Sequence, residues 1–262
     1  MTRRNIAGSR AIVTGGSSGI GQAIALDLAR QGAKVLVTAR RRDRLEQVVS
    51  DIQLLPGEAY YVSGDITEVR TREEILRVAE SQLGGLDILV NNAGIGAIGP
   101  FQRASPDRLR EVMEVNFFAP LELTRKALPL LLKGHCPIIV NIGSVLGHRA
   151  APKKSEYCAS KFALHGFSDA LRAELAGHGI DVLLVSPSTT SSEFFDRAIR
   201  SESAKSPWRK LGAMSADKVA RKTGRAIRAG KHEIILSAGG RLLVWLDRLC
   251  PPLANWITMR FG

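Results

Sequence analysis

Over its first 190 residues the chain alternates short β-branched runs with longer stretches whose apolar positions recur at helical spacing. The short runs are almost continuously apolar, as in Val35-Leu36-Val37, Ile88-Leu89-Val90 and Ile138-Ile139-Val140. Strands covered on both faces have this character. They predict strands at 10–14, 34–38, 59–63, 88–91, 138–142 and 181–186, with a further one at 233–236. Between them Ile20, Ile24 and Leu28, then Leu45, Val48, Val49 and Ile52, then Ile75, Val78 and Ala79, and later Phe162, Leu164, Phe167 and Leu171 fall on helix faces. This rhythm predicts βαβ units and hence an α/β, doubly wound parallel sheet with helices on both faces.

Two stretches break the rhythm. Residues 186–215 are polar, with two prolines and isolated aromatics at Phe194, Phe195 and Trp208. A segment that long without a clear element reads as a lid, its aromatics either lining an apolar cavity or anchoring the loop. Residues 1–240 are then one domain that includes the lid, and 241–262 an apolar-basic extension. In that extension Leu242, Trp245, Leu246 and Leu249, then Leu253, Trp256 and Ile257, recur at helical spacing beside Arg241, Arg248 and Arg260. Its apolar runs are too short to cross a bilayer. It either lies in a membrane interface or packs on its own sheet or a symmetry mate.

Composition narrows the class. Of 262 residues, 45% are hydrophobic and 24% charged, which excludes a mainly disordered chain. Three widely spaced cysteines exclude a disulfide framework and show no metal-ligand pairs. No signal peptide is read at the N-terminus, so the expected location is the reducing cytoplasm, with membrane association through the tail as the open alternative. The formal net charge is +12. Residues 196–262 hold 14 Lys/Arg and 5 Asp/Glu, so +9 of it lies there. Such a field suits nucleic acid, anionic lipid or a phosphorylated ligand. No recognition-helix motif, zinc site or stacking platform accompanies it, and nucleic acid is set aside.

The candidate chemistry begins where the first strand meets the first helix, at Thr14-Gly15-Gly16-Ser17-Ser18-Gly19-Ile20-Gly21. Gly15 suits a tight turn, Gly19 admits a ligand close to the backbone, and Gly21 removes a side chain where helix and strand pack. The freed N–H groups of a helix N-terminus would then face a pyrophosphate. The second strand runs into Ala39-Arg40-Arg41-Arg42. An NAD-type site places an acid there and an NADP-type site an arginine. Arg40, opening a helix against its dipole, gains from a bound anion such as the 2′-phosphate of NADP; Arg41 and Arg42 read as a solvated basic run.

Tyr157 and Lys161, at i and i+4, share a helix face about 5–6 Å apart at Cβ. A phenol titrating at about 10 is a poor proton donor at neutral pH, and a neighbouring ammonium shifts it toward the working range. Ser144 follows the strand at 138–142, where a hydroxyl can hydrogen-bond a substrate carbonyl. Asn91-Asn92-Ala93-Gly94 ends the fourth strand with amides and a small turn suited to a cofactor cleft. Asn116 is polar within an apolar helical stretch and, buried, needs partners. Two further residues read as structural: Cys158, turned about 100° from Tyr157, and His148, read as a partly exposed loop histidine.

With these motifs the chain resembles the classical short-chain dehydrogenase/reductase family over about residues 8–236. The resemblance implies a Rossmann-like fold and hydride transfer between nicotinamide and a carbonyl or secondary alcohol, here with NADP(H). It implies a cofactor turn at 14–21, an adenine contact at Asp65 and Ile66, and further contacts at Asn92, Ala93 and Gly94. Asn116, Ser144, Tyr157 and Lys161 fall on the family's catalytic tetrad. Tyr157 would donate the proton, Ser144 polarise the oxygen, Lys161 lower the tyrosine and hold the nicotinamide ribose, and Asn116 position a water toward Lys161. After the sixth strand the family reads Pro-Gly with a threonine four residues on; this chain has Pro187-Ser188, with Thr190 and Ser192 in the remaining contact positions. The resemblance also implies a homodimer or homotetramer. A small carbonyl or alcohol substrate, lipid-like if the tail meets membrane, is the leading expectation; the alternative is a non-catalytic dinucleotide-sensing regulator on the same fold.

Overall fold

The computed structural model describes residues 4–191, 193–194, 198–200 and 213–261. All seven expected strands form one sheet: β1 (Arg10–Thr14), β2 (Lys34–Ala39), β3 (Glu58–Ser63), β4 (Ile88–Asn91), β5 (Ile138–Ile142), β6 (Asp181–Ser186) and β7 (Glu233–Ile235). Every pairing is parallel, in the order β3-β2-β1-β4-β5-β6-β7. The winding reverses between β1 and β4. In open sheets of this kind the crevice beyond the C-terminal strand ends at that reversal receives ligands.

The helices are α1 (Gly19–Arg30), α2 (Arg42–Gln53), α3 (Val69–Val78), α4 (Pro106–Met113), α5 (Ala119–Leu131), α6 (Ser155–Leu175), α7 (Ala216–Arg228), α8 (Ala238–Leu249) and α9 (Pro251–Phe261). Strand side chains alternate between two cores, as the pleat requires. Ala11, Val13, Val35, Val37, Val90 and Val140 pack with Ile24 and Leu28 of α1, Leu45 and Val48 of α2, and Val219 and Ile227 of α7. Ile12, Leu36, Leu89, Ile139 and Val182 face the other way, onto Ile75 of α3, Leu123 and Leu131 of α5, and Leu171 and Leu175 of α6. Burial on both faces explains why these strands lack polar alternation.

A buried polar ladder crosses the second layer. Asn91 Nδ2 donates to Thr124 Oγ1 and to Asn141 Oδ1, each at 2.9 Å, and Asn141 Nδ2 donates to Ser168 Oγ at 2.9 Å. The outer bonds pin β4 to α5 and β5 to α6 and the central one joins the two strands, which braces the crevice floor. Between α4 and α5 the chain takes a π turn, Glu114–Phe118, that carries Asn116.

In the 186–215 region, Thr190–Ser191 pairs with Met214–Ser215, and Ala97–Ile98 pairs with Ile199–Arg200. Ser192, Phe195 and Trp208 lie outside the described residues. The C-terminal helices fold back onto the loop after β5. Arg149 Nη1 donates to Asp247 at 2.9 Å and Nη2 to Asn255 at 2.5 Å. Gly240 sits so close to that loop that a Cβ would lie 2.7 Å from Val145 Cγ2.

Candidate active site

One cavity of about 750 Å³ occupies the crevice. Its lining joins the glycine turn, the ends of β2 and β3, the Asn92–Gly94 turn, Ser144, Tyr157, Lys161 and the stretch after β6.

The glycine turn is built around Thr14. Its Oγ1 accepts from the N–H groups of Asn92 and Ala93, each at 2.9 Å, and Asn92 Nδ2 donates back to the carbonyls of Thr14 and Gly15 at 2.9 and 3.3 Å. Gly15 has φ +65°, and a Cβ at Gly21 would lie 2.3 Å from the Gly15 carbonyl oxygen. The turn therefore closes on itself only with glycine at both positions. Ser18 precedes α1 with no side-chain cap, so first-turn N–H groups remain for an anion. Ser17, Ser18, Gly19 and Ile20 all line the cavity.

Beyond β2 both arginines line the cavity, and the expectation for Arg41 needs correction. Arg41 is no solvated bystander. Its Nη2 donates to Ser17 Oγ at 3.1 Å and Ser18 Oγ at 2.9 Å, and its Nη1 pairs with Glu193 at 3.4 Å. Arg40 also lines the cavity, but its side chain is 72% exposed and reaches Asp65 at 3.8 Å. The cause is directional: Arg41 is the residue that enters α2, and from there its side chain turns back over the glycine turn. Asp65 accepts from Thr67 N–H at 3.0 Å and Thr67 Oγ1 at 2.8 Å, which holds Asp65 and Ile66 at the cavity edge. Thr38 Oγ1, in a residue only 1% exposed and on the cavity wall, has no hydrogen-bond partner among the described residues.

At the other end Tyr157 and Lys161 lie on one face of α6, with Lys161 Nζ 5.8 Å from the phenol ring centre. Their electrostatics differ from the simple expectation. Burial pushes the Tyr157 phenol up to about 12, against the opposing hydrogen bond from Ser144. Burial pulls Lys161 down to about 8. Lys161 Nζ donates to the Ile142 carbonyl at 2.9 Å. Desolvation is the largest cause of both shifts, and it moves the two groups in opposite directions. Ser144 Oγ accepts from Leu146 N–H at 3.1 Å, which fixes the hydroxyl at the end of β5.

Asn116 is 1% exposed. Its Oδ1 accepts from Ile95 N–H at 2.8 Å, and its Nδ2 donates to the Ile95 carbonyl at 2.9 Å and Ser160 Oγ at 3.0 Å. Both amide protons are thus spent on holding Ile95 and α6. Pro187, Ser188 and Thr190 line the cavity, with Thr190 Oγ1 donating to the Ser188 carbonyl at 3.1 Å. Phe194 resolves its open alternative: it lines the cavity, and its ring centre lies 5.7 Å from that of Tyr157.

His148 is another correction. The residue is partly exposed, but its side chain is only 3% exposed, and its Nε2 lies 2.8 Å from Ser186 Oγ and 3.4 Å from Glu233. Burial is the main reason its imidazole falls to about 4. The sequence also gave no warning that Gly239, Gly240, Leu243, Ile257 and Thr258 of α8–α9 wall the cavity. Helical periodicity marked those helices as amphipathic; a pair of adjacent glycines was the available sign of close packing.

The comparisons match this architecture. The model of the short chain dehydrogenase family matches residues 9–203. A Dehydrogenase/reductase SDR family protein 7-like of Drosophila melanogaster is 32% identical, the match covering 98% of this chain and 82% of the fly protein. A short chain dehydrogenase from Burkholderia cenocepacia in complex with NADP superposes with TM-score 0.79 at 31% identity, covering 91% of this chain and all of that one (100%). In fold alone, a short chain dehydrogenase/reductase from Burkholderia phymatum in complex with NAD agrees with TM-score 0.86 at 23% identity, over 95% of this chain and 96% of the other. With a family model matched over six of the seven strands and a relative aligned almost end to end, this chain belongs to the short chain dehydrogenase family.

Proposed function

We propose that the protein is an NADP(H)-dependent oxidoreductase that interconverts an apolar carbonyl compound and its secondary alcohol. The observation that carries this is the meeting of Tyr157, Ser144 and Lys161 in one cavity with the glycine turn and Arg41. The unpartnered Thr38 hydroxyl and the uncapped start of α1 fit a bound dinucleotide. Gly15, Gly19 and Gly21 would let its pyrophosphate approach the backbone. Arg41 and Arg40 would take the 2′-phosphate, Asp65 and Ile66 the adenine. Asn92, Ala93, Gly94, Lys161, Pro187, Ser188 and Thr190 would line the nicotinamide end. When bound, the nicotinamide would supply or accept the hydride.

The chain's own residues handle the proton. In the reducing direction Tyr157 gives its proton to the carbonyl oxygen while Ser144 donates a hydrogen bond to the same oxygen. A positioned donor where negative charge develops contributes on the order of 3 kcal/mol to such a step. A phenol held near 12 is a reluctant donor, so the Lys161 ammonium is needed to stabilise the phenolate as it forms. Asn116 acts by locking Ile95 and α6; a water linking Lys161 to solvent would have to be held by an oxygen acceptor in this stretch. Ile98, Val115, Leu146, Phe194, Leu243 and Ile257 favour a lipid-like substrate over a charged one.

Unpaired Cys136, Cys158 and Cys250 suit a cytoplasmic setting. Exposed Leu109, Phe118 and Phe162 on and beside α4–α6 offer apolar contact for a homodimer or homotetramer. The deciding experiment follows loss of reduced-nicotinamide absorbance with NADPH or NADH across a ketone series, in wild type and Tyr157→Phe. Turnover that falls at least about 1000-fold in the variant, with NADPH binding kept, is expected. Undiminished turnover in Tyr157→Phe overturns the mechanism, and NADPH binding without turnover of any ketone favours the dinucleotide-sensing alternative.

A further inference from the structure

Helices α8 and α9 are two-faced. Inward, Gly240, Val244 and Ala254 are buried, and Leu243, Ile257 and Thr258 reach the cavity. Outward, Leu242, Trp245 and Leu249 stand 68%, 59% and 77% exposed, at i, i+3 and i+7 of α8. On α9, Leu253, Trp256 and Met259 are 44%, 55% and 76% exposed. Six large apolar side chains on two successive helices are far more than a surface facing only water presents. Arg241, Arg248 and Arg260 are exposed on the same pair. The pair's one acid, Asp247, is engaged by Arg149.

Among the described residues no helix is long and apolar enough to cross a membrane. A short amphipathic pair rich in Leu and Trp with arginine at its edges instead lies in the plane of a bilayer surface. The arginines choose between occupants. An anionic lipid surface attracts each of them, whereas an isologous contact with a second copy would bring Arg241, Arg248 and Arg260 toward their own duplicates.

We propose that the outer face of α8–α9 docks on an anionic lipid bilayer, and that apolar substrate passes from the bilayer to the cleft around this helix pair. The cavity lies one helix thickness, about 10 Å, behind the docking face, with Leu243 and Ile257 on the inner side of the same roof. The route inward rests on the proposed oxidoreductase reading; the docking does not.

The test uses the full chain and vesicles of phosphatidylcholine alone or mixed with phosphatidylglycerol, read by flotation. Wild type is expected to float with the mixed vesicles at low salt and to lose on the order of tenfold in partitioning at high salt. Trp245→Ser/Leu249→Ser is expected to lose binding at both salts. Arg241→Gln/Arg248→Gln/Arg260→Gln, which leaves the apolar face intact, is expected to lose the preference for phosphatidylglycerol. Both variants should turn over a water-soluble ketone at the wild-type rate and a vesicle-dissolved ketone several-fold more slowly. Wild type that stays unbound with mixed vesicles, or variants that float as well as wild type, overturns the docking. So does conversion of an oligomer to monomers by the serine variant without vesicles, which would assign the face to a second copy. Flotation without turnover of any soluble ketone overturns the oxidoreductase reading and leaves docking standing.

Discussion

Replacing Arg108 with methionine isolates one contact that fixes the start of α6. Arg108, on α4, donates through Nε and Nη2 to Glu156 Oε1 at 3.0 and 2.5 Å. The two side chains are 3% and 1% exposed. Glu156 directly precedes Tyr157 in the first turn of α6, so this pair ties the start of that helix to its neighbour. Burial alone would raise the Glu156 carboxyl; Arg108, with the Ser155 hydroxyl and a backbone N–H, outweighs it and holds the group below its usual range. Methionine keeps the apolar stem and removes the charge. The carboxylate is then buried with Ser155 as its side-chain partner, at 2.9 Å. Breaking a buried pair in this way costs about 3–5 kcal/mol. At roughly 2 °C per kcal/mol for a chain of this size, Tm falls by roughly 6–10 °C.

The pH dependence carries the sign of the argument. In wild type the folded carboxyl is depressed, so its stabilisation is complete above the unfolded pKa and is lost as pH falls through the folded one. In Arg108→Met burial outweighs the remaining Ser155 hydroxyl and backbone N–H, and the folded pKa rises above the unfolded value. The penalty is then complete at neutral pH and disappears as pH falls below the unfolded value of about 4. Urea unfolding followed by far-ultraviolet circular dichroism, at neutral and mildly acidic pH, should show the gap from wild type narrowing as pH falls. Arg108→Met/Glu156→Gln, with no buried charge left, should regain most of the loss. A single variant within about 1 kcal/mol of wild type, or a double variant no better than the single, would refute the reasoning.

Two further outcomes follow from the site. Arg41→Ala should raise the KM for NADPH by about 10- to 100-fold, as expected for one charge-assisted contact, and leave the KM for NADH nearly unchanged; Arg40→Ala, at the more exposed position, should do less, and equal effects in steady-state kinetics would undo the reassignment of these arginines. Lys161→Met should be inactive yet more stable at neutral pH, because burial holds the ammonium at about 8 instead of 10.5, a cost on the order of 3 kcal/mol for the charged form. The wild type should recover that cost as pH rises from the folded to the unfolded value, since the unfolded chain binds the extra proton there; a stability difference between the two proteins that stays flat over that interval in urea titrations would count against it.

What the sequence discloses follows from the reach of each physical signal. Apolar patterning reports burial within a few residues, and the sheet is buried on both faces, so all seven strands are visible with ends shifted by at most one residue, as at Ala39 and Glu58. The i, i+4 spacing of Tyr157 and Lys161 depends only on helix geometry, so their shared face is equally plain. Signals that depend on contacts between distant segments are not visible. Arg149 meets Asp247 across 98 residues, and Arg41 meets Glu193 across 152; nothing in either neighbourhood names the partner. A single step along the chain where β2 ends decides which arginine turns over the cofactor turn, and composition is blind to direction. The same limit governs electrostatics. Adjacent Tyr and Lys suggest mutual stabilisation, but the sign of each shift is set by how much water the fold removes, and here the fold removes nearly all of it. Desolvation drives the phenol up to about 12 and the ammonium down to about 8, so each is shifted toward its neutral form while the lysine stays mostly charged at neutral pH. The phenol thus resists ionising and should give up its proton when a bound ligand supplies polar partners. The shared face of Tyr157 and Lys161 is legible in sequence; the dryness that shifts both groups belongs to the folded cavity.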